Sequence, residues 1–569
     1  MKTIKYIITA CTAILFISCS NDSGGGSSSI SYSVPEGQTS YTIPADAEYI
    51  NFPSEMNGKK CFVIYSNENA LMQMNTLDSA VIENINESRS VENPEEMMVY
   101  KGVFDLGDGR YRDEVHFEIP EELKRKNTLS RNGTNTNTYS TYRSLSNTQF
   151  YARTTEDSDT LRTFENKCEG THCRIWFYNA PNSIVDENKL NSKFETLKDT
   201  IDQYFVKETQ IFGSNAFSGT GYITADSSTK LDVLVYDLFG DASADQNSGT
   251  FGFFKGYDFL INDYIRDYNT ANSNNPLFTP KSLTSNECQI INIDSYFLQL
   301  DYYDKTGNAK PANKITHQVE STLFHEFQHL LNLCNKNGDY NTWFTEMLAM
   351  SAEDVFNLDH PSSRFNVTFD KPYIGFKNWP GNNDDNVLYA YANAYAFGAY
   401  LMRNYGGIRL IHEIATNAYI DEQAITEALK TLGYNETFSS VFKKFGAVFI
   451  NTDYADSYSL NRNIGETFAG NTYNLMAINL NDFYMSELGS YASFYYETNN
   501  NLYWASGKYG RDNSGNYYLM GPRIFKSSYI MLEPVKTYGF VVYYAGDIQS
   551  GKSLKVKHKS NLDMTVVVK

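Results

Sequence analysis

An α+β fold is what this sequence predicts, and three observations carry it. Both ends of the chain show short alternating apolar stretches set off by Pro, Asn and Gly, the grammar of strands and turns. The middle opens with a few apolar runs of strand length. Those runs then give way to long segments, from about 314 to 450, whose apolar residues recur at helical spacing. Strands followed by helices within one segment, with β pattern on either side, are the arrangement of an α+β protein.

The first thirty residues stand apart from that fold. Lys2 and Lys5 precede an apolar run, Tyr6 to Ile17, that is too short for a comfortable membrane span and reads as the core of a signal peptide, residues 1–18. Cys19 follows directly. Phe16-Ile17-Ser18-Cys19 resembles a bacterial lipobox, with Phe16 where Leu is usual. That resemblance implies lipidation of Cys19 and an exported protein anchored to a bacterial membrane, at the cell surface or the periplasmic face, through that lipid only. Residues 20–30, rich in Ser, Gly, Asn and Asp, suit a flexible tether.

The remaining elements follow in order. Residues 31–125 form a β-rich N-terminal domain on the strength of Tyr41–Ile43, Lys60–Tyr65 and Met97–Phe104. Residues 126–165 read as a linker, because 126–160 are dominated by Asn, Thr and Ser and lack apolar periodicity. Residues 166–475 hold the core. Its strands are expected at Cys173–Tyr178, Leu231–Leu238, Gly249–Gly256 and Gln289–Asp294, with a helix over Leu190–Val206. Further helices are expected at about 314–335, 343–357, 386–405, 408–417, 421–432 and 437–450. Residues 480–569 return to β pattern at 491–496, 517–519, 538–544 and 564–568, a β-sandwich-like C-terminal domain.

Composition excludes several classes. Among 569 residues, 48 Lys+Arg face 67 Asp+Glu, a net charge of -19 that becomes -21 once residues 1–18, with two Lys and no acid, are removed. Such acidity repels phosphate backbones and argues against nucleic acid as a partner. Aromatics at 15% and hydrophobics at 41% argue against wholesale disorder. Beyond Cys19, the set Cys61, Cys168, Cys173, Cys288 and Cys334 is odd and sparse, so it is no disulfide framework, although Cys168 and Cys173 are near enough to pair across a turn.

The chemistry concentrates in one helix. His325-Glu326-Phe327-Gln328-His329 is H-E-x-x-H, which stacks two imidazoles at i and i+4 on one face, close enough to share a zinc ion. Glu326 then stands beside the metal, where it can take a proton from activated water. Val319, Leu323, Phe327, Leu330 and Leu331 supply an apolar stripe, so the helix is expected to be buried. A third ligand is still needed. Asn332 and Asn335 stand where a metzincin would carry Gly and His, which rejects that spacing. The segment Trp343-Phe-Thr-Glu346-Met-Leu-Ala-Met-Ser-Ala-Glu353-Asp354 follows after a turn, with Asn341-Thr342 as an N-cap. Run back against the first helix, it brings Glu346 to the histidines as third ligand. Glu353, two turns on, is expected to support one imidazole by accepting its free N–H, with Asp354 as the rival. His317 is about 12 Å from His325 along the helix, too far to share the ion, and His360 is a weak alternative ligand.

These two motifs together resemble the hyicolysin family of gluzincin metallopeptidases, over about residues 170–450. The chain departs at Thr345 and Met347, where many relatives have Asn and Gly. The resemblance implies a zincin-like core: a mixed sheet, an active-site helix and a helical C-terminal subdomain, flanked by the β-rich domains. It also implies Zn2+ on His325, His329 and Glu346, Glu326 as general base, and a protein or peptide substrate. An oxyanion donor is expected from Tyr395, with Tyr391 and His412 as alternatives, and the strand at 249–256 is expected to pair with an extended peptide. Two other functions compete. One is an inactive adhesion or carbohydrate-binding lipoprotein on the same scaffold; the other is a zinc hydrolase of a non-peptide substrate.

Overall fold

The computed structural model describes most of residues 31–68, 146–480 and 535–569, with short strands at 83–84, 111–113 and within 502–526. The expected leader, Cys19, the tether, the strands at 97–104 and 491–496, the linker portion 126–145 and His360 lie outside the described residues.

Apolar runs buried on both faces build the central sheet. In chain order its neighbourhood comprises β1 (Glu165–Glu169), β2 (Cys173–Phe177), α1 (Glu187–Phe212), β3 (Leu231–Tyr236), β4 (Gly252–Phe253) and β5 (Ile290–Asp294). The sheet order is β4-β5-β3-β2-β1. The three inner strands run parallel, whereas β4 and β1 are antiparallel edges. Helix α1 starts at Asp186, whose side chain accepts the Asn188 N–H at 3.1 Å. It buries Leu190, Phe194, Leu197, Ile201 and Phe205 on one stripe, and Phe194 lies against Phe177 of the sheet. Cys168 and Cys173 remain free thiols beneath this helix, facing the Phe194 and Lys198 carbonyls.

The expected linker is in part structural. Gln149–Ala152 and Thr160–Thr163 pair as an antiparallel hairpin. Its Phe150, with the adjoining Phe164, packs on Trp176, Tyr236 and Phe253 and covers the sheet face away from α1. Two aromatic anchors suffice to pin a segment whose other residues carry no apolar period.

Six helices continue the core: α2 (Gln318–Lys336), α3 (Thr342–Phe356), α4 (Val387–Tyr405), α5 (Gly407–Thr416), α6 (Asp421–Thr431) and α7 (Phe438–Phe445). Their bounds lie within a few residues of the sequence expectation, α7 being followed by a short 3-10 turn at Gly446–Phe449. Helix α3 is buried from Trp343 to Phe356. Arg403 of α4 clamps it by a bidentate pair with Asp354, at 2.7 and 2.9 Å.

The two β regions at 31–125 and 480–569 do not stand separately in the described residues. They share a six-stranded sheet in the order Leu502–Trp504, Arg523–Lys526, Phe540–Asp547, Lys60–Ser66, Asp563–Val568, Ser40–Ile43. The reason lies in Lys60–Ser66, whose last six residues are all buried. A strand with no solvated face belongs at the centre of a sheet, and here both neighbours come from the C-terminal region. The sheet rests on α7 and the 3-10 turn after it, through Phe540 against Phe445 and Phe449. Tyr538 reaches Trp343 at the start of α3, with ring centroids 5.8 Å apart. Sheet, helices and central sheet share one continuous apolar core. The chain is thus α+β. Among the described residues no helix is long and apolar enough to cross a membrane.

Candidate metal centre

Helices α2 and α3 pack antiparallel, so that His329 meets Thr345 and His325 meets Glu353. This pairing is what the short connection between them demands. It brings Glu346 opposite both histidines: its two carboxylate oxygens lie 3.2 Å from His325 Nε2 and 3.2 Å from His329 Nε2. The imidazole centroids are 4.8 Å apart. All three side chains are buried, and one ligand atom from each lies within 4.8 Å of the others. His325, His329 and Glu346 therefore form a group that could hold a metal ion.

The fit can be tested on donor chemistry. Two donors about 2.0–2.1 Å from a tetrahedral centre lie about 3.3 Å from each other. Each 3.2 Å separation involves a different Glu346 oxygen, so it matches that edge pair by pair, while the set of one atom from each residue lies within 4.8 Å. Both Nδ1 atoms are engaged, His325 with Glu353 Oε1 at 2.7 Å and His329 with Thr345 Oγ1 at 2.8 Å. In the tautomer that carries the proton on Nδ1, each ring directs its Nε2 lone pair towards Glu346's side of the site. Glu353 is itself held by Ser321 Oγ at 3.0 Å, and the Arg364 guanidinium lies 3.7 Å away.

Glu326 points differently. Its Oε2 accepts the Phe254 backbone N–H at 2.9 Å, just past the edge strand β4. Gly252 lets that strand approach α2, since a Cβ there would lie 3.0 Å from the Thr322 methyl and 2.9 Å from the Asn292 carbonyl. Of the strand expected at 249–256, only Gly252–Phe253 is an antiparallel edge of this sheet; Ser248–Thr250 pairs parallel with Tyr111–Asp113, and residues 251–255 are buried.

The structure gathers His325, His329 and Glu346, with Glu353 on His325, and turns Glu326 to the Phe254 N–H. Asp354 is committed to Arg403, which removes it as the rival for histidine support. Tyr395 is fully buried in α4 beside Asp354 and the Arg403 pair, and burial first, then Asp354, pushes its phenol far above the usual range. It is thus packed among the helices beside that pair. Tyr391 stacks edge-on against Trp379 and under Arg364. His412 of α5 is bound to the Ile211 carbonyl of α1 at 2.9 Å.

Four contributions were not foreseen. Thr345 was read only as a departure from a family pattern, although its place beside a ligand residue was the available signal. Ser321 and Arg364 had none, and neither did the Phe254 N–H, because backbone donors carry no residue code. Glu208 of α1 is also buried near His325, and desolvation raises its carboxyl well above the usual range.

Comparison with known proteins finds no matching family model and no matching curated protein.

Proposed function

We propose that the protein is a zinc-dependent endopeptidase of the gluzincin class, similar to the hyicolysin family, with a zincin-like core. The observation that carries the reading is the buried His325, His329, Glu346 group, with Glu326 on the helix that carries the two histidines. The mixed sheet with an antiparallel edge strand lying against α2 supports the core assignment. The export and lipid tether inferred from residues 1–19 belong to the same proposal.

His325, His329 and Glu346 would hold the ion. Bound there, zinc supplies Lewis acidity and brings the pKa of water towards neutrality. Glu353 and Thr345 keep the two imidazoles in ligating orientation. Glu326 accepts the proton of the attacking water and returns it to the leaving amine. A buried, low-dielectric setting strengthens each of these interactions.

Zinc analysis and casein hydrolysis of wild type and Glu326→Gln test the reading. The variant is expected to keep stoichiometric zinc and lose about 10²–10⁴-fold in turnover, because it loses a base and no ligand. Stoichiometric zinc without hydrolysis of any protein by wild type would favour a non-peptide hydrolase. Absence of zinc would leave the inactive binding protein.

A further inference from the structure

We propose that the peptide unit between Phe253 and Phe254 positions the Glu326 carboxylate, and that Tyr236 and Asn292 are its positioning residues. The inference rests on the reading of Glu326 as general base.

The argument starts from the two ends of one peptide plane. Its N–H, from Phe254, donates to Glu326 Oε2 at 2.9 Å. Its carbonyl, from Phe253, accepts from Asn292 Nδ2 at 3.4 Å. A planar amide held at its oxygen has a fixed N–H direction. The Asn292 amide is oriented in turn, because its Oδ1 accepts from Tyr236 Oη at 3.0 Å, which leaves Nδ2 to face Phe253. Tyr236 Oη accepts the Arg153 backbone N–H at 3.0 Å, so its own proton is directed to Asn292. Tyr236 and Asn292 are wholly buried, where successive hydrogen bonds polarise one another and water does not compete.

A second restraint grips the residue that follows. Lys255 is fully buried between Asp159 at 3.3 Å and Asp258 at 3.5 Å. Asp159 also receives Arg153 Nε at 2.8 Å and Tyr257 Oη at 2.9 Å. Both restraints therefore end on Arg153 of the 149–163 hairpin. A buried set of two cations and two carboxylates tolerates little displacement, since any slip leaves a charge uncompensated. With the strand fixed and one Glu326 oxygen anchored, the rotation of the carboxylate is set, which is what a proton acceptor needs. The hairpin that covers the far sheet face is thereby tied to the base.

The test compares Tyr236→Phe with Tyr400→Phe. Each removes one buried hydroxyl; that of Tyr400 donates to the Val441 carbonyl at 3.0 Å within the helical region. Zinc content, kcat, KM and hydrogen–deuterium exchange of the 251–256 segment are measured on zinc-loaded full-length protein. Tyr236→Phe is expected to lower kcat about 10- to 100-fold at unchanged KM and zinc content, and to speed exchange at Phe254. Tyr400→Phe is expected to change neither. Equal kcat in the two variants overturns the proposal. If wild type hydrolyses no peptide, the functional reading fails by itself, and exchange then decides the relay: unchanged protection of Phe254 in Tyr236→Phe overturns it.

Discussion

In the candidate metal centre, the three side chains that could hold an ion and the groups bonded to the two imidazoles come from one stretch of two consecutive helices, Ser321 to Glu353. The six-stranded sheet is assembled in the opposite way, with Lys60–Ser66 held between strands roughly five hundred positions further along the chain. The first region needs only a turn to bring its parts together. The second needs the whole chain to be in place, and loop closure over such lengths costs more and comes later in folding. Yet the two are not independent. Tyr538, at the start of the C-terminal sheet strands, packs on Trp343, Phe438 and Phe442, with centroids 5.8, 4.8 and 5.3 Å apart. A locally encoded site thus rests on a non-local support.

The strongest way to break this comparison is to cut the chain after residue 480. If the β regions were separate modules, the remainder would keep its fold and its metal. The shared sheet predicts otherwise. Lys60–Ser66 would lose both hydrogen-bonded neighbours, and Trp343 would lose the Tyr538 ring. The truncated chain is expected to show no cooperative thermal transition and no stoichiometric zinc. Cooperative unfolding at the full-length temperature would restore the picture of independent domains.

The same contrast explains what was legible in the sequence. His325 and His329 could be read because helical period converts spacing directly into a shared face, and Glu346 because a short turn runs the next helix back against them. The helix bounds followed for the same reason. Strand period says which face of Cys61–Tyr65 is buried, and here both are, but it does not name the partner strand. Pairing with 540–547 and 563–568 therefore stayed hidden. The 149–163 hairpin was missed because its hold is two aromatic rings, Phe150 and Phe164, in polar surroundings. A helix position alone did not show that Tyr395 lies beside the Asp354–Arg403 pair.

Within the local region, the two histidine supports allow a finer comparison. Glu353 is an acceptor carrying charge, whereas Thr345 offers a neutral hydroxyl. Charge-assisted bonds are about twice as strong as neutral ones. Glu353→Gln is expected to weaken zinc binding by about 10- to 100-fold, and Thr345→Val by less, as read by competition with a chelator. Equal losses would mean that the supports act by packing alone.

The smallest expected effect concerns Glu208, which contributes to the region's cost instead of its strength. It lies fully buried in α1, neither oxygen has a hydrogen-bond partner among the described residues, and burial raises its pKa well above the usual range, with His325 opposing. The sign follows from proton counting. Between the unfolded carboxyl pKa of about 4.3 and the raised folded value, the native state holds a proton that the unfolded state has released. Stability is therefore greatest below that lower pKa and falls as pH rises, by about 1.4 kcal/mol per pH unit inside the window. Glu208→Gln keeps the shape and removes the titration. In metal-free protein, its melting temperature is expected to match wild type near pH 4 and to exceed it increasingly between pH 5 and 7, by at most about a few degrees in a chain this long. A gap that stays constant with pH would show that Glu208 remains ionised in the folded state, and hence that a positive group offsets its burial. In that case α1 would belong to the electrostatics of the metal centre as much as α2 and α3 do, and the site would be less local than its motif.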